Sequence, residues 1–224
     1  MLEVITLSPE DALAAEAGGA TRLEVTCDIE QDGLTPPLAL VQAIIARVHI
    51  PVRAMLRPRN SFAIEDAREL ELICAQARAL AALPIDGLVL GWLRDGAVDL
   101  PALRAVAAAA PHVRFTFHRA VEHVADIDAA LDALRSIPQV DTILHSGGAT
   151  QSPDARVAVL RDLYTCCAAH NITLLAGGGM NAALITRLRR ETPVRAFHVG
   201  RSARRGGVQQ ELVRRLWEVN SDSE

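Results

Sequence analysis

Short β-like runs and longer helix-forming segments alternate along the chain, and the clearest run is Arg114-Phe115-Thr116-Phe117-His118-Arg119-Ala120. Phe115 and Phe117 fall on one face of a strand there, Thr116 and His118 on the other, the period of two that separates a packed face from a polar one. Further strands are expected over residues 2–7, 22–27, 51–57, 87–93, 142–146, 173–176 and 196–200. The segments between them carry helix-start signals. Ser8-Pro9-Glu10-Asp11 and Ser152-Pro153-Asp154 combine a capping hydroxyl, a first-turn proline and acids at the positive end of the helix dipole. Thr35 before Pro36-Pro37 is expected to cap a helix reaching about residue 48, and Asn181 to cap another. Helices are also predicted over 64–82, 101–109, 126–136 and 208–219.

Eight strand–helix units at a spacing of roughly 25 to 30 residues imply parallel strands joined by helical crossovers, which close into a (β/α)8 TIM barrel. One such domain over residues 1–219 suits a chain of 224 residues, half of them hydrophobic, with residues 220–224 as a polar tail. An open doubly wound sheet fits less well. Its first strand–helix turn would carry a glycine fingerprint for a dinucleotide, and Leu7-Ser8-Pro9 has none, so no nucleotide cofactor is indicated.

Composition narrows the chemistry. A net charge of −4 and 3% aromatic residues argue against a nucleic-acid surface. Without a long apolar span or a basic leader ahead of an apolar run, no membrane association is expected and the cytoplasm is the expected location. The cysteines at 27, 74, 166 and 167 have no CxxC spacing and read as thiols rather than a disulfide framework. Every basic residue apart from histidine is arginine, so Schiff-base catalysis by a lysine amine is excluded.

In such a barrel the strand ends and the loops after them carry function. They offer Glu24, Arg57, His118 and Arg119 as an acid/base site for an anionic ligand, arginine clamping the anion and histidine moving protons. His145 and His198 end or occupy later strands. Glu3 and Arg53, set deeper, are read as an ion-pair layer that fills the barrel. Gly177-Gly178-Gly179 and Gly200-Arg201 lie where backbone amides hold a phosphate in barrels of this class.

Gly33-Leu34-Thr35-Pro36, Arg57-Pro58-Arg59, Thr116-Phe117-His118-Arg119-Ala120 and Ser146-Gly147 follow one another in the order found in the CutC family, which the chain resembles over most of its length. The resemblance implies a self-associating cytoplasmic barrel, a homo-oligomer, assigned to copper binding and copper tolerance, with no defined reaction. Many relatives carry cysteine two positions after the second-strand glutamate, in a Glu-Leu-Cys run. This chain has Glu24-Val25-Thr26, with Cys27 one position later, and one residue of slip reverses the face of a strand. Cu(I) prefers thiolate, so a copper role here falls to His118, His145 and His198, or to Cys27 alone. The alternative is a lysine-independent acid/base enzyme acting on a small anionic or phosphorylated metabolite.

Overall fold

The computed structural model of the protein describes residues 1–221. Its barrel strands are β1 (Leu2–Thr6), β2 (Arg22–Val25), β3 (Val52–Met55), β4 (Gly87–Leu90), β5 (Arg114–Phe117), β6 (Val140–His145), β7 (Thr173–Ala176) and β8 (Phe197–Val199). Each is followed by a helix: α1 (Pro9–Ala17), α2 (Leu38–Ile45), α3 (Ala67–Ala81), α4 (Leu100–Ala109), α5 (Ile127–Arg135), α6 (Pro153–Ala169), α7 (Ala182–Glu191) and α8 (Gln210–Ser221). Consecutive strands pair in parallel, and β8 returns to β1 to close the barrel.

The expected caps form at Ser8, Ser152 and Asn181, whose side chains accept from Asp11, Ala155 and Leu184 amides. Thr35 does not cap α2. Its Oγ1 accepts from the Arg57 amide at 2.8 Å and ties two strand-end loops together, while Pro37 occupies the cap position without a side-chain bond. Helix α2 also stops at Ile45, before the His49 and Ile50 amides turn to the Glu16 carboxylate. The predicted strand 87–93 ends at Leu90. Leu93–Arg94 instead pairs antiparallel with Ala97–Val98 around Asp95-Gly96, both at positive φ, a hairpin turn chemistry overlooked in the strand pattern. Helix α8 runs on to Ser221 because Asn220 is buried and accepts from Arg189; residues 222–224 of the expected tail lie outside the described residues.

Alternation along the strands builds two unlike interiors. Outward residues such as Val4, Leu23, Leu88, Phe115, Phe117 and Ile143 share one apolar core with helix residues including Ile44, Ile73, Leu131 and Leu160. Each large side chain so buried contributes about 1.5–3 kcal/mol. Inside the barrel lie buried polar residues: Glu3, Arg22, Glu24, Arg53, Thr116, Thr142 and His198. Leu144, Leu175 and Ala196 form a small apolar cluster apart from the main core.

Buried charges are tolerated only when their hydrogen bonds are met. Arg53 Nε donates to Asp86 at 2.7 Å, Nη1 to Asp141 and Thr116 at 2.7 Å each, and Nη2 to the second Asp141 oxygen at 2.8 Å. Gly87 makes room for this guanidinium. A Cβ there would stand 3.1 Å from Arg53 Nε and 2.3 Å from the Arg114 carbonyl oxygen. Burial alone would raise the Asp141 carboxyl, but the hydrogen bonds and charge of Arg53 hold it below the usual aspartate range.

Removing Arg53 leaves two carboxylates without their cation, so Arg53→Met is expected to cost about 3 kcal/mol in urea unfolding. The lowered Asp141 carboxyl contributes stability above the ordinary aspartate pKa and loses it as pH falls through the folded value. Asp141→Asn is therefore expected to flatten the stability profile below about pH 4, and an unchanged acid limb would show that this pair contributes no net stability.

Candidate functional site

Parity and register bring three ligand-forming side chains together inside the barrel. Glu3 on β1 lies beside His198 on β8 and Arg22 on β2, and Glu24 is two residues beyond Arg22 on the same inner face. Arg22 Nε donates to one Glu3 oxygen at 2.5 Å, while the other Glu3 oxygen is 2.7 Å from His198 Nδ1. Burial would raise Glu3, but Arg22 and His198 outweigh it and bring the carboxyl down to about 2. An ionised Glu3 only accepts, so His198 Nδ1 carries the proton and its Nε2 is left for a proton or an ion. Burial disfavours the charged imidazole of His198, but Glu24 and Glu3 prevail and raise its pKa.

Glu24 is the unsettled member. It is 3% exposed, and its Oε2 is buried without a hydrogen-bond partner among the described residues. Burial pushes its carboxyl up to about 7, with Glu3 adding to the rise and His198 and Arg22 opposing it. Donor atoms of Glu3, Glu24 and His198 lie within 4.8 Å of one another, the one such metal-capable trio among the described residues. Carboxylate oxygens and an imidazole nitrogen suit Cu(II) or another divalent ion rather than Cu(I).

His118 belongs to a separate cluster. It is 5% exposed, its Nδ1 accepts from the Ala120 amide at 3.2 Å, and burial followed by the Arg57 and Arg119 charges brings it down to about 3. The ring is therefore neutral with its proton on Nε2, which is buried without a partner among the described residues. Phe62 covers it at a centroid distance of 5.3 Å, and the Arg57 guanidinium sits 5.0 Å from the Phe62 centroid. Arg57 spends Nη1 on the Gln31 carbonyl at 3.0 Å and Nη2 on Asn60, joining the loops after β2 and β3. The charges acting on Glu24 come from His198, Glu3 and Arg22, those acting on His118 from Arg57 and Arg119. Glu24 and His118 are thus perturbed by different sets of charges.

Arg119 donates from Nε and Nη2 to Glu122 at 2.8 and 3.0 Å, and Glu122 also accepts from the Ser146 amide and hydroxyl. Glu122 was not singled out in the sequence, although its i,i+3 spacing from Arg119 was the available signal. His145 is half-buried, its pKa lowered by burial, and its Nδ1 accepts from the Gly147 amide at 2.9 Å. Neither His145 nor His118 joins the carboxylate–imidazole trio. Cys27 also stands apart, its thiol donating to the Thr35 carbonyl at 3.2 Å and raised to about 11 by burial and Asp28.

At the β7 and β8 ends, buried Arg156 of α6 fixes the glycine loop by donating to Ser146, Gly177 and Gly178 carbonyls at 2.8–2.9 Å. Gly178 and Gly179 have φ of +68° and +79°, conformations that favour glycine, and a Cβ on Gly178 would lie 2.4 Å from that of Ser146. Their amides have no hydrogen-bond partner among the described residues. Gly200 leads into a short 3-10 turn containing exposed Arg201 and Ser202, whose Oγ is buried and unpaired among the described residues. No helix is long and apolar enough to cross a membrane among the described residues.

Comparison with known proteins agrees with this architecture. The model of the CutC family matches residues 1–203. A CutC family protein of Xanthomonas campestris pv. campestris is 35% identical over 203 residues, covering 88% of this chain and 81% of its own. The copper homeostasis protein cutC homolog of Homo sapiens is 31% identical over 210 residues, 93% of this chain and 76% of its own. Among solved structures, the copper homeostasis protein CutC of Streptococcus agalactiae superposes with a TM-score of 0.80 at 22% identity, covering 89% of this chain and 97% of its own. A thiamine phosphate pyrophosphorylase of Pyrococcus furiosus shares the barrel at a TM-score of 0.63 and 17% identity, over 99% of this chain and 95% of its own. From β1 through the turn that follows β8, the chain belongs to the CutC family.

Proposed function

We propose that the protein serves copper homeostasis by holding a copper ion as Cu(II) between Glu24 and His198. The observation that carries this reading is the buried Glu24 Oε2 without a partner among the described residues, within ligand reach of His198. Glu3, kept ionised by Arg22, accepts from His198 Nδ1–H and acts as the outer carboxylate that fixes a metal-binding imidazole. Copper is cargo here, and the ion compensates Glu24 for its lost hydration. The names of the human and streptococcal relatives point the same way. A protonated thiol weakens Cys27 as a ligand, because thiolate is the form that binds metal.

A second reading has its own observation. A carboxyl near 7 is poised to exchange protons at neutral pH, and the unpaired amides of Gly178 and Gly179 suit an anion that the exposed Arg201 after β8 would help attract. It makes the protein an acid/base enzyme on a small phosphorylated or carboxylated metabolite. Phosphate binding by calorimetry that weakens about tenfold on Arg201→Ala, in a protein indifferent to copper, would favour it.

Cu(II) titration followed by electron paramagnetic resonance tests the first reading. Glu24→Gln is expected to weaken binding by about tenfold or more, and Glu3→Gln by about 10- to 100-fold. Unchanged affinity in Glu24→Gln, or copper retained only as Cu(I) and lost on Cys27→Ser, would overturn it. His118 should behave differently. The unfolded chain takes up the His118 proton near pH 6.5 and the folded one near 3, so stability is full above the upper value and falls as pH drops toward the lower. His118→Phe is expected to reduce that acid slope in chemical unfolding while leaving Cu(II) affinity within about twofold.

A further inference from the structure

The end of the barrel opposite the strand-end loops holds a cavity of about 610 Å³. It opens where the strands begin. Arg22 is the first residue of β2, Thr142 lies early in β6, Thr173 opens β7 and Ala196 precedes β8. In this fold that face ordinarily contributes stability alone, so an unsatisfied buried donor on a residue of its wall is unusual there.

Arg22 supplies that donor. The residue is 6% exposed and its Nε is bound to Glu3, yet its Nη2 is buried with no acceptor among the described residues. The acidic side chain on the same wall is already committed. Asp141 receives both of its oxygens' hydrogen bonds from Arg53, and one oxygen also accepts from Thr142 Oγ1 at 2.8 Å. A second cation, Arg195, lines the cavity and donates Nη1 to the Thr192 and Val194 carbonyls, neutral groups that leave its charge uncompensated. Two guanidiniums therefore line a cavity whose own carboxylate is claimed by Arg53, while Glu3, the partner of Arg22, lies outside the lining.

The rest of the lining is mixed. Tyr164 and Asn171 add polar groups, while Ala168, Ile172, Leu174 and Pro193 offer apolar surface. The volume falls in the range of small-molecule sites, with many apolar walls and few oriented polar groups. We propose that this cavity binds a small organic carboxylate, its anionic head accepting from the Arg22 guanidinium and its carbon body lying against the apolar wall. A guanidinium with one edge on Glu3 has its remaining donors aligned for a second carboxylate, the geometry that makes arginine the preferred binder of such groups. Neither Glu24 nor His198 lines the cavity, and the two sites share only Arg22, through its bond to Glu3.

Calorimetry on the whole protein, with benzoate, acetate and inorganic phosphate as probes, tests it. Benzoate is expected to bind more tightly than acetate or phosphate, and Arg22→Gln to weaken it by about tenfold. Because Arg22→Gln also removes the cation beside Glu3, a second variant, Ala168→Trp on α6, fills the cavity and leaves that pair intact. It too should abolish benzoate binding while circular dichroism remains native. Absence of benzoate binding to the native protein, equal affinity in Ala168→Trp, or phosphate bound more tightly than benzoate would overturn the proposal.

Discussion

A guanidinium enclosed by a barrel has to find its counter-ions within the same wall, and that requirement organises this molecule. Arg53 takes Asp86 just before β4 and Asp141 at the start of β6, and Arg22 takes Glu3. The two assignments leave Glu24 outside any ion pair among the described residues. Neutralising one carboxylate fully and another hardly at all is what separates their acidities, Glu3 falling to about 2 and Glu24 rising to about 7. The functional reading grows from that inequality. Glu3 is locked as an orienting anion for His198, and Glu24 keeps an oxygen that no described residue satisfies.

The loops above this interior are held by arginines used as struts. Arg57 joins the loops after β2 and β3 through backbone carbonyls, and its charge rests over Phe62, which covers His118. Arg156 does the same for the loops after β6 and β7. Guanidinium suits the work because its several donors diverge in one plane and reach carbonyls on two segments at once. In a chain whose only strong cations are arginines, the same side chain thus supplies interior counter-charge, loop bracing and cavity wall.

Much of the fold was legible in the sequence because local signals agreed with global ones: capping residues, strand alternation and unit spacing all indicated the same barrel. Parity also placed Glu3, Glu24, Thr116 and His118 on inner faces, and burial agrees. What sequence could not supply was reach. Arg57 and His118 sit at strand ends like Glu24, yet Arg57 folds back onto its own loops and His118 turns its Nδ1 to the Ala120 amide. Arg22 and Arg156 were overlooked for a related reason. An arginine opening a strand, or in the first turn of a helix, looks like a solvated residue until the opposite wall is known. The Asp95-Gly96 hairpin was readable but was absorbed into a longer apolar run.

The hydrophilic inner wall bears on how the chain is made. Glu3 and His198 stand 195 positions apart, so the ion pairing that completes the interior waits for nearly the whole polypeptide to leave the ribosome. During that wait the unfinished barrel turns a concave face of carboxylates, guanidiniums and hydroxyls to water, while each emerging helix can cover the apolar face of the strands already made. An aliphatic lumen would have offered other nascent chains a sticky cleft at the same stage. Keeping charge inside thus reduces the apolar surface that an incomplete barrel would offer to its neighbours.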